Sequence, residues 1–133
     1  MALNKAYSQY KQNSAYTARP EELTLMLYNG LVKFIMQAQL AVNDKKLEKA
    51  NNSIIRAQDI VIELQSTLNK NYDISQNLWQ LYDYMYTRLV DANLKKNNDI
   101  LEEVLGFAKE IRDVWEQAMK IARQQSKVIQ AVK

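Results

Sequence analysis

The chain has 133 residues, 47% of them hydrophobic and 25% charged, and a net charge of +3. That is ordinary composition for one soluble globular domain. It contains no His and no Cys, which excludes imidazole acid–base catalysis, thiolate chemistry, disulfides, and zinc ligation by nitrogen or sulfur. The Glu-x-x-His pairs of di-iron bundles are excluded with them, and no cofactor or metal is expected.

Two Gly and one Pro in the whole chain leave few turns, so long helices are expected. Residues 1–19 carry Lys5, Lys11 and Arg19 without an acid and read as a short helix or arm. They lack the apolar core of a signal peptide. The most apolar stretch, Leu23–Met36, is interrupted by Thr24, Asn29 and Lys33 and falls short of a membrane span. The expected location is the cytoplasm, without membrane insertion. Leu3, Tyr7 and Tyr10 at i, i+4 and i+7 give the arm a small apolar face, which should dock over an apolar groove and be displaceable.

The first helix opens at Pro20-Glu21-Glu22, a proline suited to the first helical position and two acids suited to the positive end of the dipole. Its stripe is Leu23, Leu27, Leu31, Phe34 and Ala38, and it ends near Val42. The second helix runs from about Lys45 to Leu68 on Leu47, Ala50, Ile54, Ala57, Val61, Leu64 and Leu68. Ser75 is the expected N-cap of the third, with Ile74 stapled against Trp79. That helix buries Leu78, Tyr82, Met85, Leu89 and Ala92. Asp99 and Glu102 have capping-box spacing at the start of the fourth, whose stripe is Leu101, Val104, Ala108, Ile111, Trp115, Ala118 and Ala122. Long helices joined by short breaks predict an all-α, antiparallel up-down-up-down four-helix bundle. Its parts are an arm over 1–19, a core over 20–119 and a basic extension of the last helix over 120–133.

Apolar residues exceed one stripe per helix. Phe107, Val114, Ile121 and Val128 recur every seven residues beside the main stripe of the last helix. The third carries Trp79, Tyr86 and Val90 beside its seam, the second Ile55 and Ile62, and the first Leu25, Val32, Ile35 and Met36. These surplus residues either widen an ordinary buried face or line grooves that receive a partner's amphipathic segment. Gly30 and Gly106 fall inside helices, where each costs about 1 kcal/mol relative to Ala; close approach of an internal neighbour is the expected compensation. Glu21-Glu22 and Glu102-Glu103 sit in first helical turns, where the dipole accounts for them, and catalysis is not expected.

Residues 120–133 hold Lys120, Arg123, Lys127 and Lys133 without an acid, while the 100 residues between the two basic ends hold 11 bases and 15 acids. The ends read as solvated segments, with cations favoured at a helix C-terminus. The alternative is a nucleic-acid-binding or self-associating adaptor.

Pro20-Glu21-Glu22-Leu23 with Leu25-Met26-Leu27-Tyr28-Asn29-Gly30, Ala57-Gln58-Asp59-Ile60 with Glu63-Leu64, and Leu81-Tyr82-Asp83-Tyr84-Met85 with Arg88-Leu89 together resemble, in order, the flagellin-specific export chaperones of the FliS family. Trp115 and the Tyr7–Tyr10 arm fit the same pattern, which fades after about Ala118. The resemblance implies a cytosolic bundle without catalytic activity. It would hold the C-terminal segment of flagellin in apolar grooves, prevent premature polymerisation, and deliver its client to the cytosolic domain of the flagellar type III export gate. Other flagellar regulators are further candidate partners; nucleic acid is not, and the chain would be a monomer or weak homodimer. The expected partner-binding residues are Tyr7 and Tyr10 in the arm, and Leu25, Ile55, Ile62, Tyr86 and Phe107 in the grooves.

Overall fold

A computed structural model describes residues 19–132; the arm with Tyr7 and Tyr10 lies outside them. The described residues form four helices and no strand: α1 (Pro20–Asn43), α2 (Leu47–Ser66), α3 (Asp73–Lys95) and α4 (Asn98–Val132). Each packs on its chain neighbour, and α4 closes the ring against α1. Polar pairs fix the antiparallel register. The end of α1 meets the start of α4 through Gln39 and Glu102 (2.7 Å) and Asn43 and Asn98 (2.7 Å). At the opposite end of that seam, the Trp115 indole N–H donates to the Glu21 carbonyl at 2.9 Å. Asn93 donates to Asn51 at 2.7 Å between α2 and α3. Arg88 pairs with Glu103 at 2.9 Å between α3 and α4.

The core is continuous along the bundle. Leu31, Ile35, Ile54, Val61, Leu64, Met85, Leu89, Leu101 and Val104 are fully or almost fully buried, at the spacing their helical period dictates. Across its centre the phenols of Tyr28 and Tyr82 share a 2.6 Å hydrogen bond, joining α1 to α3 diagonally. Burial pushes both hydroxyls above their ordinary pKa, so both stay protonated.

The boundaries differ from expectation for local reasons. Lys45 does not start α2: it has φ 59° and closes α1, with Lys46 N–H bonded to the Ala41 carbonyl at 2.8 Å. Lys96 has φ 49° at the end of α3, so both reversals at this end of the bundle use a left-handed lysine. Ser75 is not a cap; it is buried inside α3, which follows Tyr72. Ile74 lies inside α3 rather than before its cap, so Ile74 and Trp79 do not occupy the positions of a staple, and both are exposed. The cap of α4 is Asn97, one position before the helix and two before Asp99. Its side-chain oxygen accepts from Asp99 N–H at 2.8 Å and Ile100 N–H at 3.2 Å.

Three packing expectations also change. Leu47 is exposed, because α2 begins there at the rim. Ala118 and Ala122 are exposed, since buried side chains of α4 stop at Ala108. Gly106 is exposed and a Cβ built on it would touch nothing within 4 Å, so no internal neighbour explains it. Gly30 is buried. By length and composition α1 does meet the requirement for crossing a membrane. Its inner face is nevertheless buried in the bundle, with Leu31, Ile35 and Ala38 at zero exposure.

Candidate functional site

The α2/α3 seam is ordered by two heptad columns. On α2, Asn51, Gln58 and Gln65 are seven apart; on α3, so are Trp79, Tyr86 and Asn93. Asn51 meets Asn93, and the Gln65 amide reaches the Trp79 carbonyl at 3.4 Å. Antiparallel register therefore sets Gln58 opposite Tyr86. Ile55 and Ile62 border the α2 column on its outer side, three and four residues from its members. They are 41% and 49% exposed, and Trp79 is 49% exposed. Tyr86 is half-buried against the core. Three of the expected groove residues, Ile55, Ile62 and Tyr86, thus share one surface, with Trp79 at its end.

Phe107 lies elsewhere, at the α3/α4 seam. It is half-buried, and its ring meets Tyr84 edge-on with centroids 6.1 Å apart. The Tyr84 hydroxyl donates to both Glu103 carboxylate oxygens at 3.2 Å, and Arg88 donates to the same carboxylate. The Arg88 hydrogen bond, chiefly, holds the Glu103 carboxyl below its usual pKa. Leu25 lies apart again, half-buried on α1 one turn beyond Glu21, on the side that faces α4. The described candidates therefore divide among three seams.

A cleft of about 320 Å³ opens where the start of α1 meets α4, between Arg19, Glu22, Trp115, Met119 and Arg123. Sequence reasoning assigned Trp115 to the core stripe. It packs against the core and is edge-on to Tyr28 at 6.2 Å, yet it also walls this cleft. Exposed Met36, Leu40 and Leu94 were not expected as site residues. Leu40 stands one turn beyond Met36, and Leu94 one turn beyond Val90, so each extends a surplus apolar residue by one turn.

No described residues form a carboxylate cluster suited to a metal, and the apolar seams offer contact area rather than reactive groups. This is a class of helical bundle whose outer seams keep aliphatic and aromatic side chains exposed among the described residues. Residues 3–122 match the family model "Flagellar protein FliS". The chain is 47% identical over 123 residues to the flagellar secretion chaperone FliS of Bacillus subtilis (strain 168), covering 92% of each chain. It is 33% identical over 117 residues to the flagellar secretion chaperone FliS of Campylobacter jejuni, covering 86% of this chain and 91% of that one. A solved structure, a crystal structure of a flagellar chaperone from bacteria, has the same fold, with TM-score 0.72, 19% identity, and coverage of 87% of this chain and 96% of the other. The chain belongs to the FliS family, a family of chaperones and not of enzymes. The family match continues to residue 122, a turn beyond the point at which the sequence pattern was expected to fade.

Proposed function

We propose that this protein is a cytoplasmic flagellar export chaperone that holds the C-terminal segment of flagellin against the outer seams of its bundle. It keeps that segment from polymerising early and carries it to the cytosolic domain of the export gate. The observation that carries this reading is the strip of Ile55, Ile62, Trp79 and Tyr86 on the α2/α3 face, of which the first three are exposed among the described residues. Such a strip suits the apolar side of an amphipathic helix. Leu25 and Phe107, on two further seams, fit a client long enough to wrap the bundle. Folding of the client on binding opposes the contact energy. Tyr7 and Tyr10 belong in this reading to an arm that shields part of the surface until the client displaces it.

Calorimetry with a peptide of the flagellin C-terminal segment tests the reading. Micromolar or tighter binding that changes little with salt is expected, because the contact is apolar; binding to nucleic acid through the basic ends would weaken steeply with salt. Ile55→Lys with Ile62→Lys should weaken binding at least tenfold and leave helicity unchanged, since both side chains are exposed. No binding at micromolar concentrations overturns the reading.

A further inference from the structure

On the α1/α2 seam, Phe34 and Gln37 of α1 meet Lys49, Asn52, Ser53 and Arg56 of α2 around an open cleft of about 400 Å³. The four α2 residues stand at i, i+3, i+4 and i+7 and so share one helix face. No carboxylate lines the cleft, and neither Lys49 nor Arg56 forms an ion pair among the described residues. Asp59, three residues along α2, does not pair with Arg56. The Arg56 guanidinium lies over the Phe34 ring, 5.6 Å from its centroid, which steadies it and leaves its N–H fork without an acceptor among the described residues. Ser53 is an independent observation. It is 6% exposed, yet its hydroxyl makes no hydrogen bond among the described residues, whereas those of Thr24 and Thr87 donate to the carbonyl four residues back. A buried hydroxyl without a partner is costly, and this one borders the cleft.

We propose that this cleft takes a carboxylate side chain, a glutamate or aspartate, presented by the client segment that the chaperone binds. The donor set suits that group. A carboxylate only accepts hydrogen bonds, and the planar Arg56 fork matches its two oxygens while Lys49 adds a point charge. Ser53 and the amides of Asn52 and Gln37 are donors for the remaining lone pairs. Phe34 and Ile55 offer apolar surface to the methylene stem of the acid. Position supports the source of the acid as well. Ile55 is 41% exposed and walls the cleft, and with Ile62 it forms the α2 part of the outer strip. A segment lying on that strip therefore passes the cleft. The proposal rests on the client reading and adds a chemistry to it: the apolar strip supplies contact area, and one acid fixes the register in which the segment lies. A single half-buried pair is screened little by salt, in keeping with the weak salt dependence expected of the whole contact.

Calorimetry with the flagellin C-terminal peptide tests the cleft, using a series in which each Asp or Glu of the peptide is changed in turn to Asn or Gln. One of these changes should weaken binding to the unmodified full chain roughly tenfold, the scale of a hydrogen bond to a charged group. Arg56→Gln should lose as much with the original peptide and almost nothing further with the changed one, the coupling that a direct pair produces. Arg56→Lys should recover only part of the affinity, because the charge returns without the fork. Ser53→Ala should weaken binding about threefold, and helicity should be unchanged in every variant. Strictly additive losses overturn the proposal and leave the client reading in place. So does an equal loss on Arg56→Gln for a peptide stripped of all its acids, which would make Arg56 a packing residue over Phe34. Full affinity of that stripped peptide for the unmodified chain overturns it in the same way. No binding of any peptide by the unmodified chain removes the client reading and the proposal with it.

Discussion

At the scale of single residues, the Tyr28–Tyr82 pair is the most consequential polar contact in the core. Replacing only Tyr82 by Phe leaves the Tyr28 hydroxyl buried without its partner and should cost about 1–3 kcal/mol, measured by urea unfolding. Replacing both by Phe removes donor and acceptor together and should cost less than the single change. The pair also sets an alkaline limit. Burial raises both phenols above their ordinary value near 10. The folded state therefore keeps protons that the unfolded chain releases above that pH. Their contribution to stability is full below about pH 10 and is lost as pH rises further. Tm should fall above pH 10 in the native chain, and more gently in the double Phe variant. Gly106 is the opposite kind of residue: an exposed helical glycine with open space over it. Gly106→Ala should raise stability by about 1 kcal/mol in denaturant titration, and any accompanying loss of client binding would place a client backbone against that position.

At the scale of elements, the helices depend on their ends more than on their interiors. α1, α2 and α3 start without a side-chain cap, while α4 starts on Asn97, which satisfies two backbone donors. Asn97→Ala should cost about 1 kcal/mol by thermal unfolding, whereas Asp99→Ala should cost less, because Asp99 caps nothing. Helix identity and order were legible because each stripe follows the helical period over about four turns or more. The ends were less legible. Asn97 and Asp99 are both acceptable caps of α4 by residue type, and the choice between them falls to the turn geometry around Lys96. Leu47 shows the same limit, since its period is right but the helix begins on it at the rim.

At the scale of the whole molecule, α4 is 35 residues long against 20–24 for the others, and the excess buries no side chain. Ending the chain at Lys120 should therefore leave bundle stability within about 1 kcal/mol in urea. A larger loss would mean that the overhang packs on the bundle. The surface candidates were partly legible at this scale. Residues seven apart reveal a second apolar stripe, so Ile55, Ile62, Trp79 and Tyr86 could be singled out from their spacing. That spacing does not say which neighbouring helix a stripe faces. It left Leu25, Tyr86 and Phe107 undivided, although they belong to three different seams.

Periodicity and the scarcity of Gly and Pro determined a four-helix bundle by themselves, because burying one stripe on each of four helices admits few other arrangements. The absence of His and Cys likewise bounded the chemistry before any coordinates. Only the tertiary structure decided which apolar stripes are covered, because exposure depends on where neighbouring helices start and stop. Ala118 and Ala122 continue the core's period, yet they lie open because the core's buried residues on α4 end at Ala108.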